Sequence, residues 1–176
     1  MLSYKESLKI LKETSALLEG HFILSSGLHS DKYVQCAKLL SKPKQAKELC
    51  LSLSEKIREK YKNIDLILSP AMGGIVIGYE IGRILNIETI FAERVDGKFN
   101  LRRGFQIKNG QKILIVEDVI TTGKSSLECS ELAKKAKAEI IGYACIIDRS
   151  NGKSKIDKTI VSQVQIEIPT YSKENL

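Results

Sequence analysis

The sequence predicts an α/β fold, a central and mostly parallel sheet flanked by helices. Two observations carry this. From residue 41 onward, apolar runs of strand length alternate with segments of helical periodicity, and strands separated by helices build parallel βαβ units. In addition, Ser69–Gly74, Glu93–Gly104, Glu117–Ser125 and Asp148-Arg149 each follow a predicted strand. Open parallel sheets bind ligands beyond the carboxyl ends of their strands, so these four segments are expected to share one site. A length of 176 residues suits a single domain, 1–176, around one core.

Each element has its own signal. Ser3-Tyr-Lys-Glu6 is a capping box. Leu8, Leu11 and Leu18 then mark one face of a helix expected to run to about Glu19, with Gly20 as its stop. Residues 22–36 read as two short strands around Ser26-Gly27. Ser41 and Pro43 open a second helix, whose stripe is Ala46, Leu49, Cys50, Leu53 and Ile57. Ile64 to Leu68 is a strand stopped by Ser69-Pro70. Between Gly73 and Leu85 apolar residues nearly encircle a helix, which is therefore expected to be mostly buried. Its Gly74, Gly78 and Gly82 form a smooth stripe suited to a sheet or a second subunit. Glu88 to Ala92 is a strand, and 93–111 a long polar connection. A strand over 112–116, a helix over 125–138, a strand over Glu139–Ile147 and a weakly alternating strand over Ile160–Ile168 complete the order.

The most informative stretch is Ile113 to Ser126. A buried strand leads into Glu117 and Asp118, then Thr121, Thr122 and Gly123, then a helix with Cys129, Leu132, Ala133 and Ala136 on one face. The start of a helix offers unpaired N–H groups and partial positive charge, which suit an anion. Gly123 lets the backbone approach that anion closely. The carboxylates cannot serve a phosphate, because like charges repel, so they serve hydroxyls or a metal beside it. A ligand with both a phosphate and a diol, such as a ribose 5-phosphate, satisfies both halves. Gly123-Lys124-Ser125 also imitates the end of a nucleotide triphosphatase loop, but Asp118 stands where that loop needs a glycine. A plain capped turn would explain the hydroxyls; it leaves paired acids directly after a buried strand without a use.

Composition narrows the class. An apolar fraction of 43% and a charged fraction of 28% are ordinary for a soluble globule. The net charge of +7 suits nucleic acid, an anionic surface, a polyanionic small substrate or simply a lysine-rich surface. Arg94, Lys98, Arg102, Arg103, Lys108 and Lys112 crowd one connection, which favours a pyrophosphate-like ligand. Four scattered cysteines form no Cys-x-x-Cys pair and read as buried thiols in a reducing compartment. His21 and His29 lack acidic or cysteine partners at ligand spacing. No signal-peptide pattern or run of membrane-spanning length occurs. A cytoplasmic protein with no membrane partner is expected.

Val116-Glu-Asp-Val-Ile-Thr-Thr-Gly-Lys-Ser125 resembles the phosphoribosyl pyrophosphate signature of type I phosphoribosyltransferases. His21–Tyr33 and Ser69-Pro-Ala-Met-Gly-Gly-Ile75 resemble the orotate branch of that family. Glu93–Gly104 is similar to a short form of its mobile catalytic loop, and Cys145-Ile-Ile-Asp-Arg149 closes the set. The resemblance implies a type I fold with a small N-terminal hood over 1–40 on a core over 41–176. It implies transfer of ribose 5-phosphate from phosphoribosyl pyrophosphate to orotate, in pyrimidine biosynthesis. Catalytic roles would fall to Lys98, Asp118 and Glu117. Phosphoribosyl pyrophosphate would meet Arg94, Lys98, Glu117, Asp118, Val119, Ile120, Thr121, Thr122, Gly123, Lys124 and Ser125, and orotate would meet Thr121 and Arg149. The cofactor would be Mg²⁺, held mainly by substrate oxygens with no protein ligand assigned. The partner would be a second copy, whose loop over 93–111 completes the site with its Lys98.

Three positions depart from the family pattern. Ser25 and Gly73 stand where many relatives carry lysine, and Asn100 where some place histidine. Arg94, Lys98, Arg102 or Arg103 are the available replacements. Two other functions fit less of the chain. A purine phosphoribosyltransferase would keep the fold, but Ser26-Gly27-Leu-His-Ser30 with Tyr33 favours orotate. An RNA-binding regulator would use the charge of +7, yet it has no need of Glu117-Asp118 or the glycine turn, so no nucleic-acid partner is expected.

Overall fold

A computed structural model describes residues 1–175. In chain order, helix α1 (Tyr4–Glu13) precedes strands β1 (Leu17–Ile23) and β2 (His29–Val34) and helices α2 (Cys36–Leu40) and α3 (Pro43–Lys60). Then come β3 (Leu66–Pro70), α4 (Gly74–Leu85), β4 (Thr89–Val95), β5 (Lys98–Leu101) and β6 (Lys112–Ile120). Helix α5 (Lys124–Lys135) and strands β7 (Glu139–Asp148), β8 (Ile160–Gln165) and β9 (Thr170–Tyr171) follow. The main sheet runs β5-β4-β3-β6-β7-β8, parallel except where β5 folds back on β4. A second, antiparallel sheet, β1-β2-β9, joins the N-terminal hairpin to the end of the chain.

Alternation along β6 explains how the helices divide. Leu114 and Val116 point to the side of Ile77 and Ile81 of α4 and Leu53 and Ile57 of α3. Ile113 and Ile115 point to the other side, against Cys129 and Ala133 of α5. Successive strand residues face opposite sides of a sheet, so the two helical layers receive alternate residues. From β3 the chain crosses to β4 on one flank, and from β6 to β7 on the other. The strand order therefore reverses between β3 and β6, and a crevice opens there at the strands' carboxyl ends.

Several elements differ from expectation. The capping box forms, Glu6 N–H donating to Ser3 Oγ and Ser3 N–H to Glu6. Helix α1 nonetheless ends at Glu13, because Ser15 turns left-handed (φ 61°) and Leu17 and Leu18 pair with Val34 and Tyr33 as strand. The glycine expected to stop the helix, Gly20, lies inside β1 where its register with β2 shifts. Cys36–Leu40 forms a short helix that the sequence reading missed. The connection 93–111 is partly structured, since β4 reaches Val95 and turns through Asp96-Gly97 into β5. Helix α4 is not buried all round: Val76 and Tyr79 are 53% and 65% exposed, next to Met72 at 83%. Its glycine stripe lies on the sheet, where a Cβ at Gly78 would strike Ser69 and one at Gly82 would strike Thr89. All four cysteines are buried and unpaired. No helix among the described residues is long and apolar enough to cross a membrane.

Candidate active site

Strand β6 continues four residues beyond the apolar run, so Glu117 and Asp118 lie within it rather than after it. The pleat turns them to opposite sides. Glu117 accepts a hydrogen bond from Ser126 Oγ of α5. Asp118 lies beside Gly73, where a Cβ would come within 2.8 Å of its Oδ2. Gly73 was read from sequence as a missing cation; in the fold it is the space that Asp118 fills. Val119 N–H donates to Asp118 Oδ1 at 2.9 Å. Burial pushes the Glu117 carboxyl up to about 7, against the lowering effect of the Ser126 hydrogen bond and with a smaller upward push from Asp118. Burial also raises Asp118, opposed by its backbone hydrogen bonds. Desolvation disfavours the charged form, so these acids are held in a state that a ligand's donors can relieve.

Beyond the acids the chain turns through Thr121-Thr122-Gly123 into α5. Gly123 is left-handed (φ 81°), and a Cβ there would meet Ile156 at 2.8 Å. Both constraints require glycine. Thr122 Oγ1 accepts from Lys124 N–H at 3.3 Å. The N-cap residue itself, Gly123, has no side chain to cap α5, so beyond Lys124 the first turn keeps amide donors for an anion. Glu117, Val119, Ile120, Thr121, Thr122, Gly123, Lys124 and Ser125 together line a cavity of about 140 Å³. Asp118 lines a different one, of about 350 Å³, with Gln35, Met72, Gly73 and Val76. A larger cavity of about 470 Å³ lies past the ends of β7 and β8, lined by Asp148, Asn151 and Glu167 among others. The first two meet at β6 and carry the chemistry that the sequence singled out.

Arg149 follows β7. Its backbone N–H donates to Ile120 O at 2.9 Å, which ties it to the end of β6. Its guanidinium is half-buried, its Nε is buried without a hydrogen-bond partner, and burial lowers its pKa. Asp148, its neighbour in the chain, accepts from Ser150 N–H at 2.9 Å. The remaining cations lie on and after the β4–β5 hairpin. Arg94 bridges Glu128 of α5 at 2.7 Å and the Gly97 carbonyl at 2.9 Å, and stacks on Phe99. Arg103 pairs with Glu93 at 2.7 Å. Lys98 is exposed on the β4–β5 hairpin, without an ion pair among the described residues. The sequence reading gave no role to Ser126 or Glu128, which lie within one helical turn after the phosphate-like motif that ends at Ser125. Helical spacing from Gly123 was the signal that could have found them.

No group of three or more His, Cys, Asp or Glu side chains able to hold a metal converges among the described residues. His21 and His29 face each other, ring nitrogens 2.6 Å apart, in the hairpin.

Comparison with known proteins finds relatives over most of the chain. The family model described as "Phosphoribosyl transferase domain" matches residues 38–174. An orotate phosphoribosyltransferase of Parvibaculum lavamentivorans is 46% identical over 172 residues, covering 96% of this chain and 89% of the relative. One from Chlorobium phaeobacteroides is 47% identical over 167 residues, 95% of this chain and 86% of the relative. Among solved structures, orotate phosphoribosyltransferase from Aeropyrum pernix superposes with a TM-score of 0.77 at 21% identity, covering 90% of this chain and 92% of that one. An adenine phosphoribosyltransferase from Thermoanaerobacter pseudethanolicus gives 0.65 at 16% identity, over 77% and 88% of the two chains. At those identities the structural likeness speaks to fold.

Proposed function

The chain belongs to the orotate phosphoribosyltransferase family of phosphoribosyl transferases, and from that premise we propose that it carries the family's reaction on the residues described above. It transfers the ribose 5-phosphate of phosphoribosyl pyrophosphate to orotate, yielding orotidine 5′-monophosphate and pyrophosphate for pyrimidine nucleotide synthesis. One observation supports this most directly. Two desolvated carboxylates stand near the end of β6, just before the glycine turn into α5, and the half-buried Arg149, whose Nε has no hydrogen-bond partner, is tied through its backbone to Ile120 of the same strand.

Departure of pyrophosphate builds positive charge at the ribose C1 and negative charge on the leaving oxygens, and the protein must meet both. Glu117 and Asp118 hold the ribose hydroxyls and face the developing cation. Thr121, Thr122, Gly123, Lys124 and Ser125 receive the 5-phosphate through backbone N–H groups and hydroxyls, with Val119 and Ile120 shaping the wall. Arg149 receives the orotate carboxylate, and Thr121 lies on the route to it. Arg94 and Lys98 serve the pyrophosphate, for which Arg94 exchanges Glu128. Mg²⁺ would be held mainly by the substrate's own diphosphate and diol oxygens, beside Glu117 and Asp118, and would supply positive charge to offset that on the leaving group.

The active form is a homodimer in the cytoplasm, each site completed by the neighbour's Lys98. The exposed apolar strip of Met72, Val76 and Tyr79 supports pairing, since solvent is a poor cover for it. Residues 1–40 act as the hood and 41–176 as the core of one domain. A substrate panel tests the reading: with phosphoribosyl pyrophosphate and Mg²⁺, orotate should be consumed, and uracil, adenine and hypoxanthine should not. Turnover of a purine in preference to orotate would overturn it.

A further inference from the structure

Helical serines and threonines ordinarily turn their hydroxyls back onto the preceding turn. In this chain Ser7 Oγ donates to Ser3 O and Ser130 Oγ to Leu127 O, whereas Ser52 Oγ of α3 accepts from Leu2 N–H. Ser126 does neither. It is fully buried in the first turn of α5, and its hydroxyl reaches across to the sheet to donate to Glu117. The helix that offers its amides to an anion thus also grips the carboxylate of the neighbouring strand.

We infer that Ser126 is a positioning residue, whose buried hydroxyl fixes the orientation of Glu117 and keeps that carboxylate available as a charged acceptor for the ribose hydroxyls. The inference deepens the proposed function and rests on it for the identity of the ligand. The hydroxyl can do this because little else near Glu117 supplies charge. Cys129 of α5 and Cys145 of β7 face it, and burial raises both thiols, Cys129 to about 12, so they stay neutral. Asp118, next on β6, opposes ionisation. Arg94 and Glu128 lie past Cys129 and neutralise each other. Ser126 is the neighbour that lowers the Glu117 pKa. Bound in this way, the carboxylate is tied to the same helical turn that offers its amides to the phosphate.

The test reads the proton directly. The Glu117 carboxyl carbon is titrated by NMR in protein labelled with ¹³C-glutamate, its resonance assigned from the Glu117→Gln variant. Loss of one charge-assisted hydrogen bond should move the midpoint in Ser126→Ala upward by about one pH unit, and Ser126→Thr, which restores the hydroxyl, should return it. The acid limb of kcat/KM for phosphoribosyl pyrophosphate should shift by the same amount, with the KM for orotate unchanged. A residue that merely packs would leave both pH readouts where they are. An unmoved midpoint in well-folded Ser126→Ala, in an enzyme whose wild type converts orotate, overturns this inference alone. A midpoint that moves in a protein that fails to convert orotate upholds the Ser126–Glu117 link and overturns the functional reading.

Discussion

Glu117 ties function to stability through a single proton. Its folded carboxyl sits at about 7, above its ordinary value of 4.5. A raised acid favours the fold while protonated, so its contribution is fully present below about pH 4.5 and is lost as pH rises through 7. Compared with Glu117→Gln, the unliganded wild type should therefore lose stability between pH 5 and 8, on the order of 2–3 kcal/mol. Urea unfolding of both proteins at the two pH values measures it, and parallel curves would refute it. If Glu117 receives the ribose hydroxyls as proposed, catalysis should run the other way, because they need the ionised form. The Asp118 carboxylate should be equally needed: Asp118→Asn should keep its melting temperature and lose roughly 100-fold or more in turnover, in line with the removal of one group that stabilises transition-state charge. At Arg149, replacement by alanine should raise the KM for orotate by about 10- to 100-fold, the value of one charge-assisted contact, and spare that for phosphoribosyl pyrophosphate. Equal losses for both substrates, measured by initial rates, would count against the assignment.

Among the elements, the packing of α4 against β3 and β4 depends on absent side chains. Gly78→Ala drives a methyl into Ser69, a short side chain on a buried strand. The expected cost is about 1–3 kcal/mol, the range for overpacking, read as a lower urea midpoint at unchanged slope. Gly73→Ala differs, because its clash is with the carboxylate end of Asp118. It should lower activity more than stability, and should add little to Asp118→Asn, since both act on the same group. The sequence made this layer partly legible. The apolar runs and the capping box located most strands and helices, and the stretch from Ile113 to Ser126 announced an anion site. Local pattern was overridden where tertiary pairing competed with it. Leu17 and Leu18 fit a helical face, yet they serve as strand because Val34 and Tyr33 pair with them. The split of Glu117 from Asp118 was hidden for a similar reason: adjacency in sequence suggests a shared task, and only the continuation of β6 to Ile120 reveals that the pleat parts them. Ion pairs such as Arg94–Glu128, between residues far apart in the chain, carry no local signature at all.

The assembly can be tested through the site itself. If Lys98 works in the neighbour's site, Lys98→Ala and Asp118→Ala subunits, each inactive alone, should complement one another after exchange. Random exchange makes about half the dimers mixed, each with one intact site, so about one quarter of wild-type activity should return. A loop serving its own subunit would restore nothing. The parted carboxylates have a further consequence, for how such a protein can change over generations. A ligand that touches both must sit astride the rim of β6, with one flank toward α5 and the other toward Gly73 and α2. Beyond the shared strand the flanks come from different stretches of chain: Glu117 with residues 119–126 on one side, and Asp118 with residues 35–41 and 72–76 on the other. If the α5 flank holds the sugar phosphate as proposed, changes on the other flank can accumulate while that grip is kept, so the strand rim works as a seam along which the two halves of the site are free to diverge.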